Sequence, residues 1–347
     1  MRLLLAALTA LVLVSSARAA PLTAADTAST QAVLHWIAAY RKAPRPADVP
    51  KAMKALSELG ALHDTEHCGA YIGFLAGVLA ADPRAAETLV ARTLAMRADD
   101  RWVVVRAIAY SGLPDWKDLL REVAPRIPDR KAMIDDYLTG KLPTLAQFSM
   151  PPEPGMLDRM RKGLRLDKVF GKPTQPVTLA PSADVIDLLW GYYFATGSYG
   201  PVMHLVALLA WSKDHNDAER LAIGSMAKYT LASNAVHDPG LLAMLRESRR
   251  TRGRPKEVAA ALKEVVKAAE TVDTGPVREQ ALAAINDVRT KGSEYKRTVS
   301  WWSYVGQTAV AGGCLAAATA GMVAAGIPCI VGGATSSAVM NFIANSP

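Results

Sequence analysis

Apolar residues recur along most of this chain at spacings of three and four rather than two, which limits it to a fold built from amphipathic α-helices. Residues 256–270 are a clear example, because their apolar side chains form one stripe with Lys and Glu between them. That stripe consists of Val258, Leu262, Val265 and Ala269. The β-branched run at residues 103–105 favours a strand, but its helical flanks argue against one. The pattern predicts an all-α protein.

Short breaks rich in Pro, Gly or Asp divide the periodic segments into separate helices. Before residue 142 the predicted helices cover residues 31–40, 49–59, 66–79, 84–96, 101–110, 115–123 and 130–138. After residue 181 they cover residues 183–195, 201–212, 218–233, 240–249, 256–270 and 275–290. Two adjacent helices make a unit of about 33 residues, the size of a stacked helical-pair repeat. We therefore predict a helical-hairpin or solenoid-like array, although no named repeat signature is present.

The first 19 residues have the layout of a signal peptide. A basic Arg2 precedes an apolar run over residues 3–14, and the small-residue site Ala17-Arg18-Ala19 follows. The apolar run is well short of the ~20 residues that a spanning helix needs, so we expect cleavage before Ala20 rather than anchoring. The sequence thus predicts an exported protein of the periplasm or cell envelope.

Proline density divides the remaining chain. Seven prolines fall within residues 143–181, which predicts a linker between a first helical group at residues 20–142 and a second at residues 182–300. Loss of Arg2 and Arg18 lowers the formal charge from +8 to +6, too small and diffuse an excess to indicate nucleic acid. The three cysteines exclude a disulfide scaffold.

The tail at residues 301–347 contains no Asp, Glu, Lys or Arg. Residues 304–327 are long enough to cross a bilayer, Pro328 interrupts them, and residues 330–343 could return. Trp301 and Trp302 suit a membrane interface. Small residues that would allow close helix packing recur at every fourth position, namely Ala309, Gly313, Ala317, Gly321 and Ala325.

This tail predicts a membrane segment. The alternative is a small-residue hydrophobic helical hairpin packed within a soluble or oligomeric assembly. In such a hairpin Cys314 and Cys329 lie on opposite arms, where they would be candidates for a disulfide.

The segment His63-Asp64-Thr65-Glu66-His67 fits the H-x-x-E-H pattern of inverted zinc proteases. His63 and His67 would bind the metal and Glu66 would activate water. The helical surroundings favour another interpretation, in which Asp64 or Thr65 caps a helix and Glu66 lies in its first turn. We therefore predict no metal and no cofactor, and retain these three residues only as minor candidates.

Two further motifs are better explained by ordinary helix chemistry. Ser225 and Lys228 fit the S-x-x-K pattern of penicillin-recognising enzymes, as do Ser293 and Lys296, but no K-T-G follows, so we interpret them as helical surface residues. The Arg252-Gly253-Arg254-Pro255 run resembles a minor-groove-binding hook. Its Gly and Pro also suit a solvated basic loop between two helices, the interpretation that we favour.

Three stretches resemble a pattern in exported bacterial helical-repeat proteins of unknown function. They are residues 73–83, 187–197 and 231–237. The resemblance spans residues 30–250, implies a helical fold, and carries no catalytic motif. Within it, Trp190 and Tyr193 are expected to be core anchors, and Asn234 and His237 to belong to a helix end with its cap and turn. The alternative is a binding surface or groove formed by these four residues.

These observations predict a non-enzymatic helical-repeat scaffold of the cell envelope, tethered to a membrane or an oligomer by its tail. Its expected partner is an envelope protein or peptide, with no nucleic acid. One alternative is a membrane-active protein whose tail inserts into a bilayer. The other is a metal-dependent hydrolase, which rests only on His63, Glu66 and His67.

Overall fold

A computed structural model describes residues 21–65, 68–150, 177–214, 217–280 and 283. The α-helices before residue 150 are α1 (Thr30–Ala39), α2 (Val49–Glu58), α3 (Gly69–Ala81), α4 (Ala86–Thr93), α5 (Trp102–Tyr110), α6 (Trp116–Val123) and α7 (Lys131–Leu138). Those after residue 177 are α8 (Ala183–Thr196), α9 (Tyr199–Leu208), α10 (Ala218–His237), α11 (Pro239–Arg250) and α12 (Lys256–Glu270). Residues 275–280 are also helical. The predicted all-α class is confirmed.

Local chemistry explains where several helices begin and end. Side-chain oxygens of Ser29, Ser182 and Asp238 each accept a hydrogen bond from the backbone N–H three residues later, at the start of α1, α8 and α11. Gly197 adopts a φ of +66° and ends α8, because a left-handed residue closes the last turn. Capping residues thus set these boundaries.

Helices α3 and α8 pack with their backbones in contact. A Cβ atom built on Gly73 would lie 1.9 Å from the carbonyl oxygen of Leu188, and one built on Gly191 would lie 2.1 Å from that of Ala70. Gly69 meets Asp184 in the same way, so contacts advance along both helices together and the pair is parallel. Only glycine permits this approach.

The contact between α3 and α8 joins segments that are about 115 residues apart in the sequence. One continuous hydrophobic cluster contains buried residues of both helical groups. Its largest fully buried side chains include Tyr71 and Phe74 from α3 and Trp190 and Tyr193 from α8. The flanks of the predicted linker also meet, because an isolated parallel bridge joins Phe148 to Leu179. The two groups therefore share a core.

Several sequence predictions concern residues outside the described ones. They are the signal peptide at residues 1–19, the linker residues 151–176, the metal candidates Glu66 and His67, and the tail with Trp301, Trp302, Gly313, Ala317, Gly321, Ala325, Cys314 and Cys329. These stay predictions. Within the ranges that the structure describes, no helix combines the length and apolar character needed to cross a bilayer.

Candidate functional site

A cavity of about 710 Å³ opens between the loop before α3, the inner face of α5 and the start and end of α7. We name it the Arg106 cavity. Its polar lining residues are His63, Thr65, Arg97, Asp99, Asp100, Arg106 and Arg130. Its aromatic and apolar lining residues are Trp102, Tyr110, Met133, Tyr137, Leu142, Pro143 and Leu179. Charged groups thus meet a largely apolar wall in a space of small-ligand size.

Arg106 is the only charged residue in α5, and the helix carries it into this cavity. Its guanidinium lies between two aromatic rings, with its central carbon 5.7 Å from the centroid of Trp102 and 5.4 Å from that of Tyr110. Burial alone would lower the pKa of Arg106, but the Tyr110 hydroxyl and the Asp184 carboxylate raise it overall. The side chain therefore stays cationic.

The polar contacts of Arg106 are long. Its Nη2 atom lies 3.4 Å from the Tyr110 hydroxyl and 3.8 Å from Oδ2 of Asp184. The Tyr137 hydroxyl also interacts with this guanidinium, which has five N–H donors and so keeps donors for another acceptor. Asp184 also accepts the backbone N–H of Gly69, at 2.6 Å, at the start of α3. The Arg106 guanidinium is therefore positioned to bind an anion.

Asp100 is the second unusual group of the cavity, because its carboxylate is only 1% exposed. Its Oδ2 atom accepts a hydrogen bond of 2.5 Å from the hydroxyl of Ser57, which lies behind the cavity wall. Its Oδ1 atom has no hydrogen-bond donor among the described residues and lies 3.6 Å from Nε2 of His63. Since His63 lines the cavity and Ser57 does not, Oδ1 is on the cavity side.

A left-handed glycine positions His63 over Asp100. Gly60, with a φ of +75°, ends α2, and the chain then turns so that the His63 N–H donates to the Gly60 carbonyl at 3.3 Å. The His63 side chain is about half exposed, at 49%. His63 therefore lies at the mouth of the cavity and Asp100 at its base.

Arg130 supplies a second guanidinium to the cavity. Its Nη2 atom donates to the backbone carbonyl of Asp99 at 2.7 Å. This bond holds the Arg130 side chain against the turn that precedes α5. Its Nε atom is buried and has no hydrogen-bond partner among the described residues. A buried N–H without an acceptor is costly, so an acceptor arriving in the cavity would satisfy it.

Two tyrosines complete the wall. The rings of Tyr110 and Tyr137 meet edge to face with their centroids 6.2 Å apart. Burial and the neighbouring Tyr110 raise the pKa of Tyr137, so its hydroxyl keeps its proton and remains a hydrogen-bond donor. The cavity can therefore hold an apolar group against the rings and an anion near the guanidinium groups.

The predicted helix cap before α3 is wrong. Helix α3 begins at Gly69, so Asp64 and Thr65 do not cap it, and the amide of Gly69 is bound by Asp184 instead. His63 lies in the turn after α2 rather than on a helix. Among the described side chains, no group of three His, Cys, Asp or Glu residues is placed to hold a metal ion.

Trp190 and Tyr193 are fully buried, and Asn234 is 5% exposed. The amide of Asn234 donates to the Thr230 carbonyl of its own helix at 2.9 Å. Only His237 is exposed, at the end of α10 next to the cap residue Asp238. Core anchors and a helix end are therefore observed, and the alternative of an open groove through these four residues is corrected by their burial.

Ser225 and Lys228 are buried rather than on the surface, which corrects their interpretation from sequence. Helix α10 is covered by neighbours on several sides, including α12. Lys228 forms an ion pair with Glu264 and donates to the Gln280 side chain at 2.6 Å. The lysine thus has a structural partner. Gly253, with a φ of +83°, breaks the chain between α11 and α12 as expected for the basic loop.

Sequence reasoning missed Asp100, Arg106 and Arg130. In the sequence, Asp100 belongs to the short break before α5, where acidic residues are common. Arg106 gave a signal, because a single cation inside the apolar run of α5 is expected to be buried with a partner. Arg130 gave none, since it lies at an ordinary helix start.

Comparison with other proteins does not identify a function for this cavity. No protein-family model matches the chain, and neither curated proteins nor solved structures give a match. The function has to be argued from the residues of the Arg106 cavity.

Proposed function

We propose that this protein is a non-enzymatic helical scaffold of the cell envelope that binds an envelope protein or peptide through the Arg106 cavity. In this proposal the signal peptide exports the chain, and the uncharged tail at residues 301–347 holds it to a membrane or an oligomer. The observation that supports this proposal is that the partly buried Arg106 and the buried Asp100 line one cavity and both keep hydrogen-bonding capacity unused among the described residues.

Unused capacity of this kind favours a binding site. A buried carboxylate oxygen without a donor costs stability, and a partly buried guanidinium with long contacts has donors to offer, so the protein gains when a ligand satisfies both. Aromatic side chains and arginine together are also typical of the centre of a binding interface. The Arg106 cavity combines them at Trp102, Tyr110 and Tyr137.

The same geometry argues against nucleophilic catalysis. A nucleophile, a base and an orienting carboxylate must lie in that order, with the base between the other two. Here Asp100 lies between Ser57 and His63, so the hydroxyl and the imidazole both face the carboxylate. A serine-type hydrolase therefore has no support from these residues.

Photo-crosslinking in cells tests the proposal. A benzophenone amino acid would replace Arg97, which is exposed and lines the cavity, and in a matched variant it would replace the exposed Lys54 on α2. We expect a discrete adduct of defined mass from position 97 and none from position 54. Equal labelling from both positions, or none from either, would contradict binding at the cavity.

A second candidate function rests on a different observation, the 47 uncharged residues of the tail. In it the tail inserts into a bilayer and perturbs it, and the helical body regulates or docks it. Dye leakage from liposomes that disappears when residues 301–347 are deleted would favour this candidate. Leakage that is unchanged by the deletion, or absent with the full chain, would count against it.

A further inference from the structure

We infer that the Arg106 cavity recognises the C-terminal residue of a peptide, which joins a carboxylate, a backbone N–H and an apolar side chain. This inference rests on the proposed function, because it names the chemistry of the partner that the cavity binds. Each of the three groups has a counterpart among the described residues of the cavity.

The carboxylate is matched by two guanidinium groups. Arg106 has polar contacts of 3.4 Å with Tyr110 and 3.8 Å with Asp184 besides its contact with Tyr137, and the buried Nε–H of Arg130 has no hydrogen-bond acceptor among the described residues. Arginine binds carboxylates through paired N–H donors, and such charge-assisted bonds are about twice as strong as neutral ones. Arg97 adds a third guanidinium to the lining, while Asp184 and Asp129 lie 3.8 Å and 3.9 Å from those of Arg106 and Arg130.

The backbone N–H is matched by Asp100. Its Oδ1 atom is buried, lacks a hydrogen-bond donor and lies on the cavity side. An inorganic anion or a simple carboxylate brings no donor and would be repelled by this oxygen. A ligand with a donor close to its carboxylate satisfies both Asp100 and the arginines, and the last peptide N–H is such a donor.

The apolar side chain is matched by the aromatic and apolar part of the lining, which includes Met133, Tyr137, Leu142 and Leu179. A volume of about 710 Å³ is larger than one side chain and falls within the range of small-ligand sites, about 300–1,000 Å³. It therefore accommodates a large apolar terminal residue and part of the residue before it.

Calorimetry with the full mature chain tests this inference through three probes. The first is acetyl-Gly-Gly-Phe with a free carboxylate, the second is the same peptide as a C-terminal amide, and the third is 3-phenylpropionate, which has the carboxylate and ring without the amide. We expect the amide to bind at least tenfold more weakly than the acid, because the charge-assisted bonds are lost. We expect phenylpropionate to be weaker as well, because it has no donor for Asp100.

Variants assign the binding to the cavity. Arg130→Gln should weaken acetyl-Gly-Gly-Phe at least tenfold, whereas Arg121→Gln, at an exposed position on α6 with only a surface ion pair, should leave it unchanged. Asp100→Asn should weaken the peptide and spare phenylpropionate. Thermal unfolding of each variant checks that the fold is retained, and we expect replacement of Arg130 to be tolerated because its side chain is partly exposed.

The outcomes separate the two proposals. Equal affinity for acid and amide, or an equal effect of Arg130→Gln and Arg121→Gln, overturns the inference. Phenylpropionate binding as tightly as the peptide overturns it in favour of free organic acids. If no probe binds while crosslinking from position 97 persists, the ligand class is wrong and the proposed function stands. If crosslinking is also absent, both fail.

Discussion

Arg41 and Asp238 form an ion pair across 197 residues of sequence, joining the end of α1 to the start of α11. The hydroxyl of Tyr193 donates to the same Asp238 oxygen at 2.8 Å, and the Arg41 guanidinium lies 5.0 Å from the centroid of the Tyr193 ring. Asp238 also caps α11 through the N–H of Leu241. One carboxylate therefore fixes three helices.

Replacing Asp238 should destabilise the protein more than replacing an ordinary cap. We expect Asp238→Ala to cost about 2–4 kcal/mol, because a cap and two charge-assisted hydrogen bonds are lost together. Asp217→Ala removes the more exposed cap of α10 and should cost about 1 kcal/mol. Urea unfolding measures both, and equal losses would contradict a linking role for Asp238.

Acidification should remove the contribution of the Asp238 charge. Burial alone would raise the pKa of Asp238, but hydrogen bonds from Leu241, Tyr193 and Arg41 lower it overall from the usual 3.8. A carboxyl whose folded pKa is lowered stabilises above its unfolded value and loses that effect as pH falls through the folded pKa.

The difference in unfolding free energy between the natural protein and Asp238→Asn should therefore be constant from pH 7 to pH 5 and shrink below about pH 4. Chemical unfolding at a series of pH values measures it. A difference that grows on acidification would show that the pKa of Asp238 is raised instead.

Adding one methyl group between α3 and α8 should be severe. Gly73→Ala places a Cβ atom 1.9 Å from the Leu188 carbonyl oxygen, so the helices must separate, and we expect a loss of about 3 kcal/mol or more. Gly200→Ala is the matched control, because a Cβ there meets only the Ser198 hydroxyl at 3.9 Å. It should be neutral or stabilise by up to about 1 kcal/mol. Thermal unfolding compares the two, and similar shifts would exclude close packing as the cause.

The ion pair of Lys228 and Glu264 should respond unequally to loss of either partner. Lys228 is 4% exposed at its side chain and Glu264 is 36% exposed. Glu264→Gln leaves a buried cation without its anion and should cost about 3 kcal/mol. Lys228→Met leaves a carboxylate that keeps Lys213 at 3.2 Å and reaches solvent, so about 1 kcal/mol is expected. Denaturant titration of both variants checks the order, and the reverse order would contradict it.

The helices themselves could be predicted closely, because their apolar spacing and capping residues are local features. The predicted helix at residues 256–270 is α12 without change, and its four stripe residues are all buried. The β-branched run at residues 103–105 is also helical, as its flanks predict. The helix start predicted before α3 is wrong. The N–H of Gly69 at the start of α3 bonds to Asp184, and the sequence does not show that these two residues are close in space.

The close packing of α3 against α8 has a signal in the sequence of α3. Small residues at every fourth position suggested close packing in the tail, and Gly69, Gly73 and Gly77 repeat that spacing in α3. The partner helix could not be identified, because nothing local to residues 69–77 points to residues 184–195.

The candidate site was harder to predict than the fold. Arg106 was visible as a lone cation, but its aromatic neighbours and Asp100 matter only because α5, α7 and the turn after α2 converge. Ser225 and Lys228 are predicted as helical surface residues because no K-T-G follows them, yet the helices packed around α10 bury both.

The parallel α3–α8 contact also has a consequence for how the chain reaches its folded state. Its two sides are about 115 residues apart, so the core closes only after a long loop has formed, which slows folding. Neither the segment before residue 150 nor the one after residue 177 holds both helices. A chain emerging from the ribosome therefore lacks this part of its core until most of α8 has been made.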